Sequence, residues 1–183
     1  GSVFKLVVAA AALESGSYTT QSSFENLGEY VLPGTSTTIY NSGGSTCGAG
    51  ERVTLETALI RSCNIPFAML AVELGQDRIR AQAELMGFGD EIEIPMPVTP
   101  SVYPEGMDLA QTGLSGFGQF DVRVSPLQMS LVTAAIANQG VIMNPQLVKS
   151  VVASNLNILS QPQPTVLSSP ISRETAGFLT RMM

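Results

Sequence analysis

The chain of 183 residues contains no histidine and no tryptophan, and only two lysines, Lys5 and Lys149. Without histidine, neither a Ser-His-Asp triad nor a metal site with histidine ligands is possible, and we expect no metal and no cofactor. Charged residues make up only 13% of the chain, while hydrophobic residues make up 44%. The net charge of −6 argues against a nucleic-acid partner, which requires clustered lysine and arginine. So little charge is typical of a domain whose outer faces pack against other segments.

Long hydrophobic runs are also absent. Residues 6–13 are too few to cross a bilayer, which needs roughly 20 apolar residues, and the uncharged residues 124–148 include serine, glutamine, asparagine and proline. Nothing basic precedes the first apolar run, so it does not have the pattern of a signal peptide. Any export signal or membrane anchor is therefore expected upstream of Gly1.

The sequence pattern predicts a helix-rich chain with few strands. Helices are predicted, from hydrophobic spacing and capping residues, at residues 3–13, 54–61, 64–74, 77–86, 108–114, 125–138 and 172–183. Residues 17–52 are rich in Ser, Thr and Gly, which favours loops with short strands at most. Ser125, Pro126 and Gln128 predict a capping box, and β-branched residues indicate a short hairpin at residues 141–152.

Ser2 and Lys5 form an S-x-x-K motif at the start of an apolar helix. A serine hydroxyl needs a base before it becomes a nucleophile, and Lys5 lies one helical turn away on the same face. Burial among apolar neighbours lowers the pKa of a lysine, so a neutral amine is available as general base. The alternatives are a chance motif or a Gly-Ser remnant of cloning.

Ser62 and Asn64 form an S-x-N motif in the break between two predicted helices. In an extended chain, residues two apart point the same way, so both side chains are predicted to line one wall. The alternative is that Asn64 serves only as a helix N-cap. The glycine-rich residues 113–118 do not follow a strand, which argues against a nucleotide loop.

In this order, the two motifs resemble those of the penicillin-binding proteins and serine β-lactamases, and residues 116–119 and 125–129 are similar to transpeptidase segments. The resemblance implies an α+β, β-lactamase/transpeptidase-like fold. It implies a peptidoglycan D,D-transpeptidase that acts outside the bacterial cell membrane, with an N-terminal anchor. Its partners would be acyl-D-Ala-D-Ala stem peptides, β-lactams and other proteins of cell-wall synthesis or cell division. Ser2 would be the nucleophile, Lys5 the base and Ser62 a proton relay, while Asn64 would bind substrate.

The third family motif, K-[ST]-G, does not occur in the chain. Residues 1–183 are therefore expected to be the helix-rich part of a transpeptidase domain, truncated at both ends and inactive by itself. Cys47 and Cys63 are predicted to form a disulfide, which would pull Ser62 away from Lys5, and the alternative is two small buried thiols. The rival functions are a D,D-carboxypeptidase, a β-lactamase, a β-lactam sensor without turnover, and a helical interaction module with accidental motifs.

Overall fold

The computed structural model describes all 183 residues and contains both helices and strands. A turn of 3₁₀ helix at Ser2–Phe4 leads into the first α-helix. The α-helices are α1 (Lys5–Glu14), α2 (Leu55–Ile60), α3 (Ile65–Leu74), α4 (Gln76–Leu85), α5 (Leu109–Ser115), α6 (Pro126–Ala137) and α7 (Arg173–Met182). None of them is both long and apolar enough to cross a membrane. The predicted helices are confirmed, with boundaries that differ by at most two residues.

The strands are short and form four separate antiparallel pairs. They are β1 (Ser23–Glu25) with β4 (Arg52–Thr54), β2 (Glu29–Val31) with β3 (Thr38–Tyr40), β5 (Ile142–Met143) with β8 (Val166–Ser168), and β6 (Val151–Val152) with β7 (Ile158–Ser160). The prediction of loops with short strands between residues 17 and 52 is confirmed.

Helix α1 lies at the centre of the hydrophobic core. Its residues from Lys5 to Ala12 are all buried, because the helix is apolar on every side and has no face suited to water. Helices α2, α3, α4 and α7 all contact it. At its start, the ring of Phe4 stacks on Tyr103 and meets the edge of Phe88, with both centroids 5.6 Å away. The turn that carries Ser2 is thereby fixed to the core.

The glycine-rich segment allows close packing of α5. A side chain at Gly116 would collide with the backbone carbonyl of Phe67 in α3, and one at Gly118 would collide with the backbone of Gly1. Gly118 also has a φ of 76°, which favours glycine. These glycines bring the end of α5 against both α3 and the residue that precedes Ser2.

Two local predictions are wrong. Residues 141–152 do not form a hairpin by themselves, because their strands β5 and β6 pair with β8 and β7 from residues 158–168. The turn comes later, at residues 153–157, and the result is a longer projecting arm of residues 142–168. The capping box of α6 is only half formed. Ser125 Oγ accepts a hydrogen bond from the Gln128 backbone N–H, but the Gln128 side chain is buried and donates to Met86 O instead.

Candidate active site

Ser2 and Lys5 lie side by side at the start of α1. Ser2 is exposed in the 3₁₀ turn, whereas Lys5, the first residue of α1, has no exposed surface. Lys5 Nζ lies 3.1 Å from Ser2 Oγ. The three-residue spacing in the sequence therefore becomes a direct contact between a serine hydroxyl and a buried amine.

The same amine reaches the second motif. Lys5 Nζ donates to Ser62 O at 2.7 Å and to Asn64 Oδ1 at 3.0 Å, and it lies 3.1 Å from Ser62 Oγ. Residues about sixty positions apart thus meet at one nitrogen atom. The structure brings together all four residues that the motifs single out.

Burial lowers the pKa of Lys5 to about 8. No carboxylate contacts its ammonium, and the ring centroid of Phe67 lies 5.9 Å from Nζ. With such a pKa, roughly one lysine in ten is neutral at pH 7. A neutral amine has two N–H donors and one lone pair. Because the carbonyl oxygens of Ser62 and Asn64 can only accept, they take the two hydrogens, and the lone pair is left for a serine hydroxyl.

The break between α2 and α3 is compact, so the prediction of an extended segment is wrong. Ser62 has a φ of 54°, and Asn64 has helical backbone angles. The Ser62 N–H bonds to Leu59 O and the Cys63 N–H bonds to Ala58 O, both at 2.9 Å, which is the Schellman motif that ends a helix. Ser62 occupies the left-handed position that glycine usually takes, and this conformation points its carbonyl and hydroxyl at Lys5.

Asn64 is not the side-chain cap of α3, which settles the alternative raised from the sequence. Its side chain makes no capping bond, since Oδ1 accepts from Lys5 and Nδ2 donates to Tyr40 O. Asn41 takes over that role from a distant loop, where its Oδ1 accepts from the N–H groups of Asn64 and Ile65 at 2.9 and 3.0 Å. Sequence reasoning missed Asn41, because nothing in a local pattern links it to α3.

Cys47 and Cys63 form a disulfide, with Cα atoms 5.8 Å apart. It joins the loop that follows β3 to the middle residue of the S-x-N motif. The Cys47 N–H also donates to Asn26 Oδ1 at 2.6 Å, so the loop is held from both sides. The expectation that the bond pulls Ser62 away from Lys5 is wrong, since Ser62 Oγ stays 3.1 Å from Lys5 Nζ.

An open cleft of about 440 Å³ lies in front of these residues. Its lining consists of Ser2, Ser42, Arg61, Ser62, Asn64, Phe117 and Gln119. Ser42, Arg61, Phe117 and Gln119 were not predicted as site residues. The signals available for them were weak: Arg61 precedes the S-x-N motif, and Phe117 and Gln119 belong to a segment similar to transpeptidases. The arrangement places an exposed serine hydroxyl, a buried amine of lowered pKa and an amide beside an open groove.

Comparisons with known proteins identify the family of the chain. The family model described as penicillin binding protein transpeptidase domain matches residues 1–183. The chain is 36% identical over 184 residues to the peptidoglycan D,D-transpeptidase PbpA of Mycolicibacterium smegmatis, and 33% identical to that of Mycobacterium tuberculosis. In both cases the match covers 100% of this chain and 37% of the relative. The chain thus spans little more than a third of these relatives.

Solved structures give the same result. The crystal structure of PBPA from M. tuberculosis superposes with a TM-score of 0.95 at 33% identity, covering 100% of this chain and 43% of that one. A penicillin G acyl-enzyme complex of the same protein also matches with a TM-score of 0.95 at 33% identity, covering 100% of this chain and 42% of that one. The predicted fold class and the predicted family resemblance are confirmed by these matches.

Proposed function

Because the chain belongs to the penicillin-binding protein transpeptidase family, we propose that its parent protein cross-links peptidoglycan stem peptides through an acyl-serine intermediate on Ser2. The observation that carries the proposal is the position of Lys5 Nζ, which lies within 3.1 Å of Ser2 Oγ, Ser62 Oγ and Asn64 Oδ1. The named relatives are peptidoglycan D,D-transpeptidases, which supports the same substrate class.

Acylation begins with proton transfer from Ser2 Oγ to the neutral Lys5 Nζ as the oxygen attacks the carbonyl of the penultimate D-Ala. The peptide C–N bond then breaks, and the leaving nitrogen receives a proton through Ser62 Oγ, which lies 3.1 Å from Lys5 Nζ. D-Ala departs and the stem remains as an ester on Ser2. Asn64 keeps its amide at the cleft, where it can hold a substrate carbonyl.

Transfer to an amine of a neighbouring stem completes the cycle. The incoming amine attacks the ester carbonyl, loses a proton to Lys5 and forms the cross-linking amide, while Ser2 regains its hydrogen. A β-lactam would acylate Ser2 in the same way, but its leaving nitrogen stays attached to the opened ring. The β-lactam acyl-enzyme complexes of the M. tuberculosis relative support this part of the proposal.

The substrate places the reaction outside the bacterial cell membrane, at the cell wall. We include in the proposal a membrane anchor that precedes the domain and contacts with other proteins of cell-wall synthesis or cell division. We propose that residues 1–183 are one part of the transpeptidase domain. In agreement with this, the chain covers 37% of the length of the M. smegmatis relative.

The experiment is the intact mass of the full-length protein after incubation with benzylpenicillin, with Ser2→Ala as the variant. We expect one penicilloyl group on the wild type and none on Ser2→Ala. Ser23→Ala, which removes an exposed serine of β1, is the matched control and should be labelled fully. Labelling that persists in Ser2→Ala would contradict the assignment of the nucleophile. Incubation with an acyl-D-Ala-D-Ala peptide and an amine then separates transfer from hydrolysis, since only a transpeptidase gives the amide product.

A further inference from the structure

The cleft in front of Ser2 carries positive charge only. Arg61 is the one charged residue that lines it, Lys5 lies directly behind it, and no carboxylate is among the lining side chains. The chain as a whole has a net charge of −6, so this cleft differs from the rest of the surface. A groove of this kind favours an anionic ligand.

Arg61 is held at the cleft without using the hydrogen-bond donors of its guanidinium. It is the residue that ends α2, and its backbone N–H bonds to Thr57 O. Its side chain crosses Gly48, where an added Cβ would lie only 3.3 Å from Arg61 Nε. Gly48 follows Cys47, so the disulfide holds the surface on which the arginine rests. Arg61 is exposed, and its guanidinium makes no hydrogen bond and no salt bridge within the protein.

We propose that Arg61 is a specificity-determining residue that binds a carboxylate on the acyl side of the substrate, beyond the residue that Ser2 attacks. The inference rests on the proposed function, and it adds that the substrate carries a negative charge near Arg61. A guanidinium binds a carboxylate through two parallel N–H···O bonds, and a fork whose donors are unused is suited to this role. The neighbouring Phe117 and Gln119 supply an apolar wall and a free amide to the same groove.

Two penicillins provide a matched pair of probes. Benzylpenicillin and carbenicillin share the same ring system, and carbenicillin carries one additional carboxylate on the side chain. The measurement is the second-order rate constant of acylation of the full-length protein by each compound. In Arg61→Gln, we expect the ratio of the carbenicillin constant to the benzylpenicillin constant to fall about tenfold, the effect of one charge-assisted contact at a partly exposed site. Arg61→Lys keeps the positive charge but loses the two parallel N–H donors of the guanidinium. Its ratio should lie between those of the wild type and Arg61→Gln.

The control is Arg78→Gln, which removes an equal charge from an exposed position of α4 outside the cleft. Its ratio should equal that of the wild type, so a general effect of net charge is separated from local binding. An unchanged ratio in Arg61→Gln, with both compounds still acylating the protein, overturns the role of Arg61 and leaves the proposed function intact. If neither compound acylates the wild type, the proposed function fails as well.

Discussion

At the scale of single residues, the site depends on a lysine that is buried without an acidic partner. Opposite charges near an ammonium keep a lysine protonated, whereas burial alone favours the neutral form. Lys5 has only hydroxyl, amide and carbonyl oxygens around Nζ, and its pKa is lowered to about 8. The folded protein therefore binds the Lys5 proton more weakly than the unfolded chain does. Because of this difference, the stability of the fold increases as the pH rises from about 8 towards the ordinary pKa of lysine.

The lowered pKa of Lys5 predicts how acylation depends on pH. As the proposed base, Lys5 works only when it is neutral, so the acylation rate constant should rise about tenfold per pH unit below the pKa and level off above about 8. The measurement is benzylpenicillin acylation of the full-length protein from pH 6 to 10, corrected for the spontaneous hydrolysis of the compound. A rate that stays constant between pH 6 and 9 would show that Lys5 is not the titrating base.

At the scale of elements, the junction of α2 and α3 is positioned by residues that are distant in sequence. Asn41 is buried and makes four hydrogen bonds, accepting from Asn64 N and Ile65 N and donating to Leu27 O and Ser45 O. By capping α3, Asn41 leaves the Asn64 side chain free to contact Lys5. The cap and the active site thus use different asparagines.

Asn41→Ala should therefore affect both stability and acylation. We expect the free energy of unfolding to fall by about 3 kcal/mol, because buried N–H groups at the start of α3 and two carbonyls lose their partner. Acylation by benzylpenicillin should slow as Asn64 turns back to cap its own helix. Chemical denaturation and the acylation rate of the full-length protein provide the two readouts. Asn155→Ala, in the exposed turn of the arm, is the control, and equal behaviour of the two variants would refute the role of Asn41.

Most of the helix predictions that succeeded used information within one turn of helix. Thr54 and Ser172, the first residues of two predicted helices, cap α2 and α7, because an N-cap depends on a residue three positions away. Two of the errors concern longer distances. The side chain of Gln128 donates to Met86 O, at the end of α4, rather than to the start of its own helix, and β5 pairs with a strand more than twenty residues later. The roles of Asn41 and Arg61 likewise depend on which loop lies beside the α2–α3 junction, and only the folded chain reveals that.

At the scale of the whole molecule, much apolar surface is left uncovered. The accessible surface is 9677 Å², whereas a compact monomer of this mass would have about 8,500 Å². Half of the large exposed hydrophobic side chains lie on the arm of residues 142–168, among them Leu156, Ile158 and Leu159. The arm carries a single charged residue, Lys149. An isolated two-stranded pair is marginally stable in water, so an arm of this composition needs contacts beyond those that residues 1–183 provide.

The final prediction concerns residues 1–183 produced alone. We expect them to be poorly folded and to take up no benzylpenicillin, because the chain contains no K-[ST]-G motif and all its strands occur in separate pairs. In the family, the strand with that motif binds the substrate carboxylate and supplies part of the oxyanion hole, and loss of one such donor costs about 10²–10³ in rate. The measurement compares intact mass and hydrogen exchange of residues 1–183 with those of the full-length protein. Stoichiometric labelling of the shorter chain would contradict the prediction, since it would mean that the Ser2, Lys5 and Ser62 arrangement suffices for acylation.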